Sequence, residues 1–412
     1  MIRMALSSKE HLAFVRYCIN EQQCVPTVTD WHALFAFMQE QALLGVGFRG
    51  IERMKEAGVE IPRNVLLKWY AISEQIRQRN VEMNKRCVEL TEMLKKDGFE
   101  SCILKGQGNA VNYQLGVRNE ELGMEDEQNE GKLALLRQPG DIDIFLLPKG
   151  CLSISERRKV VMEYVRSKFP EAKIRYQHID FPIHKGVDVE MHFIPTAKNN
   201  PLYNYRIQQW VEERIAEQCQ HFVVLPNTNE TNGTDGMVCV PTLEFNIIYQ
   251  LSHLMHHFFD EGVGLRQMMD YYYLLRKAKD DNGQQTTDNG GLKAKNDNRP
   301  QTTDNGELTA TLKYLNLYQF AGAVMWVLHE VFGLEEDYYI APPDEWRGKL
   351  LLDEILKGGN FGHYSGLTNH STGTKYFLKI KRNMRFVRAY PAEALCEPLF
   401  RTWHFFWRLF HR

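Results

Sequence analysis

The sequence predicts an α+β protein, a small mixed sheet flanked by N-terminal and C-terminal helical regions. Three observations carry that prediction. Residues 64–96 place Ile72, Ile76, Met83, Cys87, Leu90 and Leu94 at three- and four-residue spacing, one apolar stripe on a long amphipathic helix. Residues 140–146 and 187–193 are short apolar runs that carry acids at every second position, the period of a strand. From Pro241 onward the helical period returns.

In chain order, Ser8 is expected to cap a helix running to about Ile19, and Thr29 or Asp30 a second one over residues 31–44. The long helix ends at Asp97-Gly98, where glycine tolerates the left-handed conformation. Residues 99–104 read as a strand, Lys105-Gly106-Gln107-Gly108-Asn109 as a turn, and residues 110–115 as the start of a helix. The strand bearing Asp141 and Asp143 ends at Pro148, and Ser153 or Ser155 caps a helix reaching Phe169. Residues 173–181 and 187–194 form a hairpin joined by residues 182–186, and its register decides which acids share a face. Residues 213–225 mix helix and strand, and 226–236 are a polar connection. Helices follow over 243–259 and 264–275. Residues 280–308 repeat Gln-Thr-Thr-Asp-Asn-Gly and carry too little apolar surface to order themselves, so a disordered insertion is expected there. The resulting division is an N-terminal helical region at 1–97, a catalytic core at 98–225 and a C-terminal helical region at 226–412.

With 412 residues the chain is long enough for more than one core. Its net charge of −2 excludes a global field that attracts nucleic acid. The first ten residues lack the apolar stretch of a signal peptide, and no run of about 20 apolar residues occurs to span a membrane. The eight cysteines are scattered without a Cys-x-x-Cys pair, which reads as reduced thiols in a cytoplasmic protein.

The chemistry concentrates at Gly140-Asp141-Ile142-Asp143-Ile144. Two residues apart on a strand, Asp141 and Asp143 project from one face and repel each other unless a cation sits between them. Oxygen ligands of this kind suit Mg²⁺ or Mn²⁺, as in phosphoryl and nucleotidyl transfer. Residues 187–193 put Asp188, Glu190 and His192 on one side and Val187, Val189, Met191 and Phe193 on the other, so a neighbouring strand supplies Glu190 or Asp188 as a third acid. A single Asp-x-Asp is most often only a polar strand end; the second acidic strand changes the balance. Upstream, the Lys105-Gly106 turn before a helix is a candidate phosphate cradle, though glycines there commonly serve backbone geometry alone.

A strand, a Lys-Gly turn, a helix, Arg137, Asp-Ile-Asp on a strand and then an acid-x-His strand resemble the DNA-polymerase-β-type nucleotidyltransferase superfamily. Within it the pattern is most similar to a bacterial family of uncharacterised nucleotidyltransferases, over roughly residues 95–280. The resemblance implies a small mixed-sheet nucleotidyltransferase core. Asp141, Asp143 and Glu190 become the catalytic metal ligands, with Glu190 on a second metal or taking the acceptor's proton. Lys105, Gly106 and Gln107 receive the phosphates of an NTP donor. Two readings of Arg137 stand equal, a phosphate contact and a salt bridge to one of the acids. The chain departs from the superfamily in carrying Lys105-Gly106 where most members have Gly-Ser, and in the insertion 119–136.

His253 and His257 lie four apart on one helical face, next to His256, and Arg266 and Asp270 follow. Zinc is one reading of His253, His257 and Asp270. The favoured reading is a substrate-facing or structural network made by His192, His253, His257, Arg266 and Asp270. The basic, aromatic segment after Lys375 can lie on a membrane surface or touch RNA; the favoured reading is a helix that closes the C-terminal core. The function expected is metal-dependent transfer of a nucleoside monophosphate from an NTP to a hydroxyl of a sugar, small molecule, protein or RNA, the neutral charge arguing against a long nucleic acid. The alternatives are a non-catalytic nucleotide- or partner-binding module and a hydrolase using the same metals.

Overall fold

The computed structural model describes residues 2–20, 23–113, 133–150, 153–226, 236–287, 305–360 and 372–410. The chain folds as two units, each built from three separate stretches rather than from consecutive regions. The first takes Met1–Gln78, Asn112–Gln138 and Glu261–Gly366; the second takes Arg79–Val111, Pro139–Asp260 and Leu367–Arg412.

The first unit is helical. Its opening helix runs over Ile2–Ile19, so Ser8 lies inside it and not at its cap; nothing in residues 2–7 breaks a helix. Asp30 does cap the next helix, Trp31–Glu40, accepting hydrogen bonds from the His32 and Ala33 amides at 2.9 Å each. That helix is shorter than expected. Ala42 adopts φ 55°, a left-handed turn that ends it and starts a separate helix, Leu44–Glu56. Trp69 is wholly buried and donates its indole N–H to the Leu44 carbonyl at 2.7 Å, fixing the start of that helix. Helix Leu265–Thr287 extends past Asp280, and another begins at Asn305. Both ends of the expected insertion are therefore helical, continuing the helices on either side despite their Asn, Gly and Thr residues; residues 288–304 lie outside the described residues.

The second unit holds the sheet. Strands β1 (Phe99–Ile103), β2 (Ile142–Pro148), β3 (His178–Asp180) and β4 (Val189–His192) order as β1-β2-β4-β3. β2 runs antiparallel to β1 and parallel to β4, and β3 and β4 form the expected antiparallel hairpin. One face of the sheet is apolar. Ile142, Ile144, Leu146, Ile179, Val189 and Met191 join a core with Val161 and Val165 of helix Ile154–Lys168 and with Met83, Leu90 and Leu94 of helix Arg63–Lys96. Burying that face leaves the alternate residues, the polar ones, on the other. Ser153 caps the helix Ile154–Lys168 through the Glu156 amide. A second, two-stranded sheet pairs β5 (Phe222–Val224) with β6 (Met237–Cys239).

Candidate active site

The sheet register assembles the site. Asp143 on β2 lies directly opposite Glu190 on β4, and Glu190 lies opposite Asp180 on β3. One step along, His192 lies between Phe145 and His178. Asp143, Glu190, His192, His178 and Asp180 thus share the face opposite the apolar core. Asp141 stands at the open end of β2, exposed to solvent, and Asp188 is exposed at the entry to β4.

Asp143 is buried, and two cationic groups reach the same oxygen. Lys105 Nζ lies 2.9 Å from Asp143 Oδ1, and His192 Nε2 lies 3.0 Å from it. His192 Nε2 is also 3.2 Å from Glu190 Oε2, and His178 Nδ1 reaches that oxygen at 3.2 Å. The Nδ1 of His192 faces the Ile194 carbonyl at 3.3 Å. Although Asp141 is open to solvent on one side, the protein around its carboxyl partly strips it of water, and with the repulsion of Asp143 and Glu190 this pushes it up to about 6. Burial also works to raise Glu190, but hydrogen bonding to His192 and the charges of His192 and Lys105 prevail and hold it down at about 2. For Lys105 burial favours the neutral amine; Asp143 and Glu190 outweigh it and raise the ammonium above its ordinary value.

Around this centre sits helix Leu243–Phe259. Its His253 Nε2 lies 3.2 Å from Lys105 Nζ and 2.8 Å from His257 Nε2. Burial, with the nearby Lys105 charge, holds both rings well below the usual histidine range, so they stay neutral. The Tyr249 hydroxyl on the same helix is buried, has no hydrogen-bond partner among the described residues, and feels the charges of Asp143 and Glu190.

The Lys105-Gly106 turn is shaped by its backbone. Gly106 has φ 66° and ψ −108°, a conformation open essentially to glycine. A Cβ on Gly108 would fall 2.4 Å from the Ile103 carbonyl oxygen. The helix after the turn, Gln107–Ala110, has only four residues and passes into a 3₁₀ turn, Val111–Tyr113, so little dipole supports the expected phosphate cradle. Gln107 is buried and donates to Asn84 Oδ1 at 2.5 Å rather than pointing toward a ligand.

Arg137, Arg266 and Asp270 belong to the first unit. Arg137 forms a two-pronged pair with Asp270, Nε to Oδ1 and Nη2 to Oδ2 at 2.7 Å each, and Tyr113 donates to Asp270 Oδ1 at 2.6 Å. Arg266 donates to the Gln138 carbonyl at 3.0 Å. The guanidinium of Arg137 is therefore engaged by a carboxylate that neither of its two sequence readings named. Its planar fork pairs with that carboxylate, and Nη1 also donates to the Gln138 carbonyl at 3.3 Å.

Among the described residues, the His, Cys, Asp and Glu donor atoms that come within 4.8 Å of one another in a group of three are those of His178, Glu190 and His192. That set does not contain His253, His257 or Asp270, the residues of the zinc reading. A buried and a half-buried carboxylate facing each other, with imidazole nitrogen between them, fit a divalent cation in donor chemistry. His178 and Tyr249 are missing from the sequence reading. The alternation His178-Ile179-Asp180 carries the first, but its weight depends on the β3–β4 register; Tyr249 carries no sequence signal beyond an apolar helix.

Residues 132–289 match a family model described as an uncharacterised nucleotidyltransferase, while no curated protein and no solved structure matches the chain. The matched stretch is less than half of the chain and takes in β2, the β3–β4 hairpin and the histidine helix, but not Lys105 or Gly106. Over residues 132–289 the chain is similar to this uncharacterised nucleotidyltransferase family.

Proposed function

We propose that the chain transfers a nucleoside monophosphate from an NTP to a hydroxyl acceptor, with Asp141, Asp143 and Glu190 as the carboxylates that hold the divalent metal. The observation that carries the proposal is the parallel register of Asp143 with Glu190, on the polar face of two strands, β2 and β4, that lie inside the nucleotidyltransferase match. A bound Mg²⁺ or Mn²⁺ supplies Lewis-acid neutralisation of the triphosphate.

The remaining work falls to the protein's own groups. The acceptor oxygen forms a bond to the α-phosphorus, the bond from that phosphorus to the β-bridging oxygen breaks, and pyrophosphate leaves with the electron pair. Lys105, charged and 2.9 Å from Asp143, delivers its ammonium to the phosphates. Glu190, held near 2, remains an anion throughout the physiological range, which suits a ligand and not a proton acceptor. His192 bridges the two carboxylates and fixes their separation. The acceptor is a sugar, small molecule or protein hydroxyl; nothing on this face selects among them.

One observation favours a second reading, a non-catalytic nucleotide-binding module. The Lys105 ammonium already neutralises Asp143, as a site without metal requires. Pyrophosphate release separates the two. Protein supplied with each NTP, Mg²⁺ or Mn²⁺ and fractionated hydroxyl-bearing metabolites is expected to release pyrophosphate, and Asp143→Asn to lower the rate by about a thousandfold. Nucleotide binding with no pyrophosphate from any fraction would favour the module. Nucleoside monophosphate released alone would make the reaction a hydrolysis.

A further inference from the structure

We propose that His178, Glu190 and His192 form a site for a transition ion of the Mn²⁺-to-Zn²⁺ series, bound through imidazole nitrogen, so that the enzyme prefers such an ion to Mg²⁺. The inference rests on the metal-dependent reading above and specifies the ion. The spacing and the chemistry of the donors support it.

The spacing is that of ligands around one ion. His178 Nδ1 and His192 Nε2 each lie 3.2 Å from Glu190 Oε2, and His192 Nε2 lies 3.0 Å from Asp143 Oδ1. Neighbouring donors around an ion at about 2.1 Å stand roughly 3.0–3.4 Å apart, from octahedral to tetrahedral geometry. The tautomer is suited as well. In the metal-free protein His192 Nε2 bridges the two carboxylates; a proton kept on Nδ1, which faces the Ile194 carbonyl at 3.3 Å, would let Nε2 exchange those hydrogen bonds for a bond to the ion. A hard Mg²⁺ gains little from two imidazoles, whereas transition ions accept them readily.

Electron paramagnetic resonance of the full chain with one equivalent of Mn²⁺ tests this directly, through nitrogen couplings in the echo-modulation spectrum. The expected result is coupling to imidazole nitrogen, at least tenfold tighter binding of Mn²⁺ than of Mg²⁺ by calorimetry, and loss of both the coupling and the preference in His178→Gln/His192→Gln. Mn²⁺ bound with no nitrogen coupling, and with Mg²⁺ of equal affinity, would overturn the ion assignment while leaving the carboxylate site intact. Failure of every divalent ion to bind would remove the metal-dependent reading itself.

A separate feature carries a second proposal. Helix Pro391–Phe410 has two apolar faces. Its inner face packs Phe400, Trp403 and Trp407 around Tyr176, with ring centroids 5.5, 5.5 and 6.1 Å away, and Arg401 pairs with Asp260 at 2.7 Å. Its outer face, Leu395, Leu399, Trp403 and Phe406 at spacings of four, four and three, lies in solvent, with Leu399 71% exposed. Trp403 stands where the two faces meet. Phe377 and Met384 of helix Thr372–Met384 are exposed too. Residues 372–410 contain eight lysines and arginines against two acids, Glu393 and Glu397, both buried. Lys381, Arg385 and Arg388 are exposed.

From this charge we infer that the outer face docks on an anionic bilayer, with the helix lying in the interface plane. Aromatic and leucine side chains enter the acyl boundary while the cations meet the headgroups. No described helix is long and apolar enough to cross a membrane. A second copy is a poor occupant, since it would oppose like charge with like. Co-sedimentation of the full chain with phosphatidylcholine vesicles, with and without phosphatidylglycerol, tests the proposal. Binding is expected only with the anionic lipid, weakened by salt, and at least tenfold weaker for Leu399→Asp/Phe406→Asp, whose exposed positions leave the melting temperature unchanged. No binding to anionic vesicles, equal binding by the variant, or an oligomer in solution that the variant abolishes would overturn it.

Discussion

One oxygen of the buried Asp143 carboxylate meets both Lys105 and His192. Asp141 has no such partner. Its carboxyl is pushed up to about 6 by burial and by Asp143 and Glu190. A raised carboxyl pKa means that the fold binds this proton more tightly than the unfolded chain does. The associated stability is full below the unfolded pKa, near 3.8, and is lost as pH rises through about 6. In metal-free protein, Asp141→Asn is therefore expected to raise the melting temperature at pH 7.5 and to leave it nearly unchanged at pH 4; an equal shift at both pH values would contradict the repulsion. The pair Arg137–Asp270 is a different case. It is buried and two-pronged, and Asp270→Asn strands a guanidinium away from water. A loss of about 3–5 kcal/mol by denaturant unfolding is expected. The residue types at these positions were legible in the sequence, but their partners were not. Arg137 and Asp270 are 133 residues apart, and nothing local marks them as a pair.

At the scale of elements, periodicity carried furthest where one face is buried and one is not. The long helix Arg63–Lys96, the capped helix Ile154–Lys168 and the β3–β4 hairpin follow from apolar spacing and capping residues, because burying a stripe or a face fixes the phase. The sequence reading fails where backbone conformation decides. Ala42 breaks a continuous helical pattern with a left-handed residue that is not glycine, and no spacing rule announces it. The Lys105-Gly106 turn has the composition of a phosphate cradle, yet its helix stops after four residues. Its glycines instead serve the close approach of the turn to β1 and β2, where a Cβ on Gly106 would lie 3.1 Å from the Asp141 carbonyl oxygen. Gly106→Ala should cost about 1–3 kcal/mol in backbone strain and displace Lys105 from Asp143. Thermal unfolding and NTP affinity read the two effects, and an unstrained variant with unchanged affinity would show that the turn does not position the lysine.

For the molecule as a whole, composition excluded much and selected little. The net charge of −2 hides a basic C-terminal segment, and the two units are woven from alternating stretches that a left-to-right reading of the chain divides differently. The pairing of Asp143 with Glu190 was legible because both lie on alternating acidic strands; His178 was not, because its place depends on a register set by the folded hairpin. The central claim is that a metal–NTP complex binds on the Asp143–Glu190 face. A thermal-shift titration with Mg²⁺ or Mn²⁺ and each of the four nucleoside triphosphates tests it most directly, on wild type and on Asp141→Asn/Asp143→Asn. Stabilisation that requires metal and triphosphate together, of about 2–3 kcal/mol at a hundredfold excess over Kd, and its loss in the double variant, is the predicted result. Stabilisation that persists in the double variant, or no response to any metal–nucleotide pair, would contradict the account.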